Sequence, residues 1–276
     1  MWTGQNASDL APTSANALPR NHLLRSLPRR DWERLQPYLH RVALKPRRVL
    51  QHACVPIEHL YFIEDGLVSV LASADERSAV EIWLIGREGA IGAAALLGAR
   101  TSPLRHFVQI GGSALRISVE DLNRAMAEMP LLQAILHGYL HASMLQSSQS
   151  AACSLSHSLL QRLARWLLTA QDRSDRDELP ITQDLLARSL GVRRATVSEA
   201  FKPLERTGIF SRERGLIRIL DRGRLEEIAC RCYRIMRLRR ERQDQAGNGR
   251  EAENGRSRFY ALTAFFALLE IELLVH

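Results

Sequence analysis

Three regimes of apolar spacing follow one another along the chain. Residues 1–20 are rich in Ser, Asn, Ala and Pro and show no period, which predicts a disordered lead-in. Leu23, Leu24, Leu27, Trp32, Leu35 and Leu39 then recur at roughly helical intervals, with Asp31 as the expected N-cap. The period changes next. The runs HLYFIEDGLVSVLA, SAVEIWLIG and HFVQIGGSALRIS are short, β-branched and aromatic. Asp-Gly, Gly-rich and Pro-containing turns separate them, which predicts a compact antiparallel sandwich or jelly roll over roughly 45–118. After SVEDLNRAM, where Ser118 and Asp121 fit a capping box, helical spacing returns and persists through PLLQAILHGYLHASMLQSSQSAA. Leu132, Ile135, Leu136 and Tyr139 fall three and four residues apart, as in a seam between helices, so a contact between two copies of the chain is expected there. In HSLLQRLARWLLTAQD, Leu159, Leu160, Leu163, Trp166 and Leu167 share one face, and the polar RSDRDELP ends that helix.

The segment ITQDLLARSLGVRRATVSEAF fits two helices joined by a tight turn. Thr182 can cap the first helix, Ala187 is small where the helices meet, Gly191 takes the turn and Val197 plugs the second helix into the first. The second helix then exposes Arg193, Arg194, Thr196, Ser198, Glu199 and Lys202, side chains able to hydrogen-bond phosphates and base edges. Glu199 has no donor for phosphate, so an ion pair with Arg194 or Lys202 is its expected use. Pro203 predicts a kink or an early end near Lys202. The next stretch, GIFSRERGLIRIL, reads as a hairpin with Arg212, Arg214 and Arg218 near its tip, the wing of a winged helix-turn-helix.

Charge supports that reading. The chain has 276 residues, enough for two domains, and a formal charge of +8. Residues 151–240 hold 19 Lys and Arg against 11 Asp and Glu, so this segment alone supplies the whole excess. The expected partner is double-stranded DNA. Cys54, Cys153, Cys230 and Cys232 are too few and scattered for a disulfide framework, and no export signal is evident, so a cytoplasmic protein with no membrane span is expected. The one-residue gap in Cys230-x-Cys232 fits neither zinc nor redox spacing, and the thiols read as structural or incidental. A cupin-type metalloenzyme would need His-x-His and Glu ligands in the β region, which are missing, so an enzyme is not expected. His137 and His141 lie one helical turn apart, where they would serve as haem or metal ligands or simply as polar groups on a helix seam. No cofactor is otherwise implied. Beyond ERQDQAGNGREAENGRSR, the tail FYALTAFFALLEIELLVH is apolar but carries Glu270 and Glu272, which suits a packing or partner helix better than a bilayer span.

With β-roll, long helix and winged helix-turn-helix in that order, residues 22–237 resemble the Crp/Fnr family of bacterial transcription regulators. The segments YFIEDGLVSVL, LIGREGAIGAAALLG, SAACSLSHSLLQRLARWLL, LPITQDLLARSLGVRRATVSEAF and RGLIRILDRGRLEEIACRCYRIMR carry the resemblance. It implies an α+β chain: a disordered lead-in (1–21), a cyclic-nucleotide-binding-like effector domain (22–122), a dimerisation helix and hinge (123–155), a winged helix-turn-helix (156–237) and an atypical tail (238–276). It also implies a homodimer on a near-palindromic operator, with RNA polymerase as a further partner. Arg194 matches the family's guanine-reading arginine and Thr196 a phosphate-contacting threonine, but Ala195 and Glu199 stand where members often carry glutamate and arginine, so a different operator is implied. Cyclic-nucleotide binders of the family use Gly-Glu and Arg-Ser pairs. Gly92-Ala93, Arg100 and Arg105 replace them here, which predicts a degenerate pocket that leaves cyclic nucleotides unbound. The iron–sulfur branch needs N-terminal cysteines, and the first here is Cys54. Haem or another small effector stays open, and the alternative to a regulator is an interaction or sensor module that has lost specific DNA binding.

Overall fold

The computed structural model describes residues 18–73, 79–174, 176–213 and 215–238. The lead-in before residue 18, wing residue Arg214 and the apolar tail lie outside them. Two short helices open the described part of the chain, α1 (His22–Arg25) and α2 (Arg29–Leu35). Asn21 caps α1 by accepting from the N–H groups of Leu23 and Leu24, while its amide donates to the carbonyls of Ile63 and Gly89. Asp31 is not the cap of α2. Extended backbone at Pro28 starts the helix earlier, and Asp31 falls in its first turn, where a carboxylate favours the N-terminal dipole.

Six strands build one antiparallel sheet: β1 (His40–Leu44), β2 (Val49–Gln51), β3 (His59–Ser73), β4 (Ala79–Ile85), β5 (Ala90–Ile91) and β6 (Arg105–Ser118). The order is β1-β6-β3-β4, with β2 also on β6 and β5 also on β3. Asp65-Gly66, expected to be a turn, lies inside β3, which pairs with β6 from His59↔Ser118 to Leu71↔Arg105. The register slips on both sides of Asp65, and Gly66 has φ +97°, where a Cβ would stand 2.6 Å from the Ile110 carbonyl oxygen. The dipeptide is therefore a bulge that bends one long strand. One apolar cluster, with Leu60, Phe62, Leu115 and Ile117, packs under α1 and α2, and another, with Val42, Ile63, Val68 and Val108, fills the roll.

Ser118 accepts from the N–H of Asp121 at 3.0 Å and starts α3 (Val119–Glu128) as the capping pattern predicts. The long helix α4 (Pro130–Ser156) follows. Leu132, Ile135 and Leu136, expected between copies, are instead buried in this chain's own core beside Leu24, Leu35 and Leu122. Tyr139 is held similarly, its hydroxyl donating to the Ala90 carbonyl at 2.8 Å. An apolar stripe shows which face of a helix is covered without showing what covers it. The exposed large apolar side chains of α4 are Met144 and Leu155.

The rest of the described chain is α5 (Leu159–Ser174), β7 (Glu178–Leu179), α6 (Gln183–Leu190), α7 (Arg194–Arg206), β8 (Phe210–Glu213), β9 (Leu216–Ile219) and α8 (Arg222–Ile228), with helix again at 231–238. Sheet order is β7-β9-β8. The β8–β9 hairpin follows the sequence pattern, whereas β7 is two residues inside the polar run around the end of α5 and has no such pattern. Leu163, Trp166, Leu186, Val197, Phe201 and Ile217 form its core, which continues into Leu67, Leu84 and Ile110 of the roll.

Candidate nucleic-acid interface and neighbouring pocket

Local chemistry fixes the relation of α6 to α7. Thr182 caps α6, its hydroxyl accepting from the Leu185 N–H at 3.3 Å. Gly191 ends the helix at φ +66° and ψ 37°, a left-handed conformation that glycine adopts without a Cβ clash, and its N–H turns back to α6 carbonyls. Ala187 is nearly buried where the helices touch, and Val197, Phe201 and Leu204 anchor α7 from beneath. The opposite side of α7 is therefore left to solvent, and Arg193, Arg194, Thr196, Glu199 and Lys202 are all exposed on it. Pro203 does not end the helix. Its ring is exposed, α7 continues to Arg206, and the helical bond lost is the one its missing N–H would have made to the Glu199 carbonyl.

Residues 161–228 match the Crp-like helix-turn-helix domain family. The chain carries a Crp-like helix-turn-helix domain. Over 68–70% of the chain the fold is also that of solved Crp/Fnr-type proteins. The c-di-GMP-responsive global regulator CLP of Xanthomonas campestris is 18% identical, with a TM-score of 0.58 over 68% of this chain and 97% of its own. FixK2 of Bradyrhizobium japonicum is 16% identical, with a TM-score of 0.61 over 70% of this chain and 98% of its own. A CRP-family transcriptional regulator of Thermus thermophilus is 20% identical, with a TM-score of 0.57 over 68% of this chain and 95% of its own. No curated protein sequence matches the chain.

Within the Crp-like domain the expected contact residues divide into two groups. Arg194 Nε stands 3.5 Å from Asp184 Oδ1, with both side chains more than half exposed, so the pair is worth little and can open toward a phosphate or base. Lys202 Nζ and Glu199 Oε1 are 2.7 Å apart, the intrahelical pair expected of Glu199. Arg193 and Thr196 remain exposed at the start of α7. The others are engaged elsewhere. Ser198 is half-buried and donates to Gln183 Oε1 at 2.9 Å, and the Thr182 hydroxyl is held by its cap. Arg212 does not reach outward at the wing: its Nε is 2.8 Å from Glu205 and its guanidinium lies over the Phe201 ring, because β8 packs against α7. Arg218 pairs with Glu178 of β7, an exposed ion pair.

A buried joint with no local sequence signal holds this domain against the roll. Glu81 of β4 accepts from Trp166 Nε1 and Ser69 Oγ, both at 2.6 Å, and from Ser189 Oγ at 2.8 Å. Burial raises the carboxyl's pKa even against these donors. Arg173, also buried, pairs with Glu88 at 3.1 Å and donates to the Leu84 carbonyl. A lone glutamate in the apolar run EIWLIG carries no signal of its partners, which come from three other elements.

A cavity of about 490 Å³ opens between the roll and α4, lined by Gln51, Ile82, Trp83, Ser102, His106 and Tyr139 among others. Gly92 and Ala93 line it, as expected, but Arg100 and Arg105 do not: Arg100 is exposed and Arg105 half-buried off the cavity wall. Burial pushes the His106 imidazole down to about 4, so it is neutral at pH 7. His106 Nδ1 and Gln51 Nε2 have no hydrogen-bond partner among the described residues. His137 is exposed and His141 half-buried on α4. Among the described residues no helix is long and apolar enough to cross a membrane.

Proposed function

We propose that the chain is a sequence-specific, DNA-binding transcription regulator that acts as a homodimer on a near-palindromic operator. The observation that carries this reading is the two-sided construction of α7. Val197, Phe201 and Leu204 fix its inner face, and Arg193, Arg194 and Thr196 stand exposed at its N-terminal end, the part of a recognition helix that meets base edges. Arg194 reads guanine through two N–H donors, Arg193 and Thr196 hold phosphate, and Lys202 adds charge further along. The α4 surface beyond Tyr139, with exposed Met144 and Leu155, is the face offered to a second copy, since Leu132 and Leu136 are already covered.

The effector cavity is degenerate with respect to cyclic nucleotides. No arginine among the described residues lines it, and burying a phosphate without a charged partner is costly. It suits a small, mainly apolar ligand that hydrogen-bonds neutral His106 and Gln51. Such a regulator works in the reducing cytoplasm, consistent with four cysteines that form no disulfide. Titration of duplex DNA at several salt concentrations tests the proposal: a log–log slope steeper than about −3 supports phosphate engagement. Salt-independent or undetectable binding would leave an interaction module instead.

A further inference from the structure

The fold gathers four metal-ligating side chains that the sequence scatters. Cys153 and His157 lie one turn apart where α4 ends, and Cys230 and Cys232 follow α8, so the whole winged domain separates the two pairs along the chain. In space their ligand atoms all fall within 4.8 Å of one another. Cys153 Sγ is 3.5 Å from Cys230 Sγ, and Cys232 Sγ is 3.6 Å from His157 Nδ1.

We propose that Cys153, His157, Cys230 and Cys232 form a tetrahedral site for a thiophilic divalent cation of the zinc class, which staples the end of α4 to the segment behind α8. Zinc bonds of about 2.3 Å to sulfur and about 2.05 Å to nitrogen give tetrahedral edges of about 3.8 Å for S···S and about 3.6 Å for S···N. The separations bracket those edges before any cation has drawn the ligands in. Three thiols and one imidazole are a closed ligand set with no position left for substrate, so the site is structural rather than catalytic. Binding releases three thiol protons and leaves the centre with one net negative charge. The surroundings offset it. Arg162 and Arg165 both act electrostatically on the thiols, and the Nε atoms of both are buried without a hydrogen-bond partner. Gln149 Nε2 donates to Cys232 Sγ at 3.1 Å, an outer contact that orients the ligand. The three sulfurs are buried, which shields them from oxidation and exchange.

The consequence for regulation rests on the DNA-binding reading of α7: the cation would fix both ends of the winged domain to α4 and so set the direction in which α7 points. The site itself is tested without DNA. Full-length, reduced protein is titrated with Co²⁺ and then with Zn²⁺. The expected result is one cation per chain, with the thiolate charge-transfer and intense ligand-field bands of tetrahedral cobalt, bleached by zinc. Zinc should also slow the reaction of three of the four thiols with a disulfide reagent at least tenfold, leaving exposed Cys54 as the fast one. Cys230→Ser and His157→Ala should each lose the tetrahedral spectrum, and Cys54→Ser should keep it. If a variant fails to fold, thiol protection in the parent protein decides alone. Unchanged reactivity of the three buried thiols on adding zinc, cobalt bound only octahedrally, or a Cys153–Cys230 disulfide forming at the same rate with and without zinc would overturn the site.

Discussion

Glu81→Gln should change how stability depends on pH while leaving the joint between roll and winged domain intact. In the native chain the Glu81 carboxyl is buried against Trp166, Ser69 and Ser189, and burial holds its pKa above the ordinary 4.5. Its folded pKa therefore exceeds its unfolded one. The stability it contributes is complete below the unfolded pKa and is lost as pH rises through the folded pKa. Within that window the loss approaches about 1.4 kcal/mol per pH unit, the free energy of one proton bound in the folded state only. Glutamine reproduces the neutral acid, with a carbonyl for the Trp166 N–H and an amide able to donate to a serine hydroxyl, and it has no proton to lose. Glu81→Leu instead strands the indole N–H and should cost about 1–3 kcal/mol at every pH. Urea unfolding followed by circular dichroism, from about pH 4.5 to about pH 8, measures the difference between the parent and Glu81→Gln. Titration of His106, which runs the opposite way, is common to both and cancels. A pH-independent difference between the two proteins would refute the reasoning.

Leu136→Ala should destabilise the isolated chain by about 2–5 kcal/mol, because Leu136 is fully covered by its own core, and a thermal midpoint measured across protein concentrations checks this. Met144→Glu and Leu155→Glu, on the exposed surface of α4, should shift sedimentation from dimer toward monomer and make the thermal midpoint less dependent on protein concentration. Cyclic AMP and cyclic GMP should give no heat of binding in calorimetry, since no arginine among the described residues lines the cavity; micromolar binding of either would contradict that reading.

What could be read from the sequence was what short-range chemistry decides. Thr182, Ala187, Gly191 and Val197 lie within sixteen residues, and cap, contact, turn and plug each have a side-chain signature, so the helix-turn-helix is legible in the sequence. Ser118 was legible for the same reason. Asp65-Gly66 was not, because the dipeptide that closes a hairpin also permits a bulge, and only the partner strand decides between them. The seam of Leu132, Ile135 and Leu136 showed an apolar face but not that α1 and α3 cover it. Glu81 with Trp166, and Cys153 with Cys230, depend on contacts between residues 77 or more positions apart, which no local period encodes.

The central claim is that α7 reads DNA through Arg194. Site selection from a randomised duplex library, run in parallel on the parent protein and on Arg194→Ala, tests it directly. The account predicts that the parent selects paired half-sites with a guanine at one fixed position in each. Arg194→Ala should lose that preference at a cost of about 1–3 kcal/mol per half-site while keeping the spacing between them. Recovery of the same half-sites with the same guanine preference from Arg194→Ala, or no enriched sequence from the parent, would contradict it.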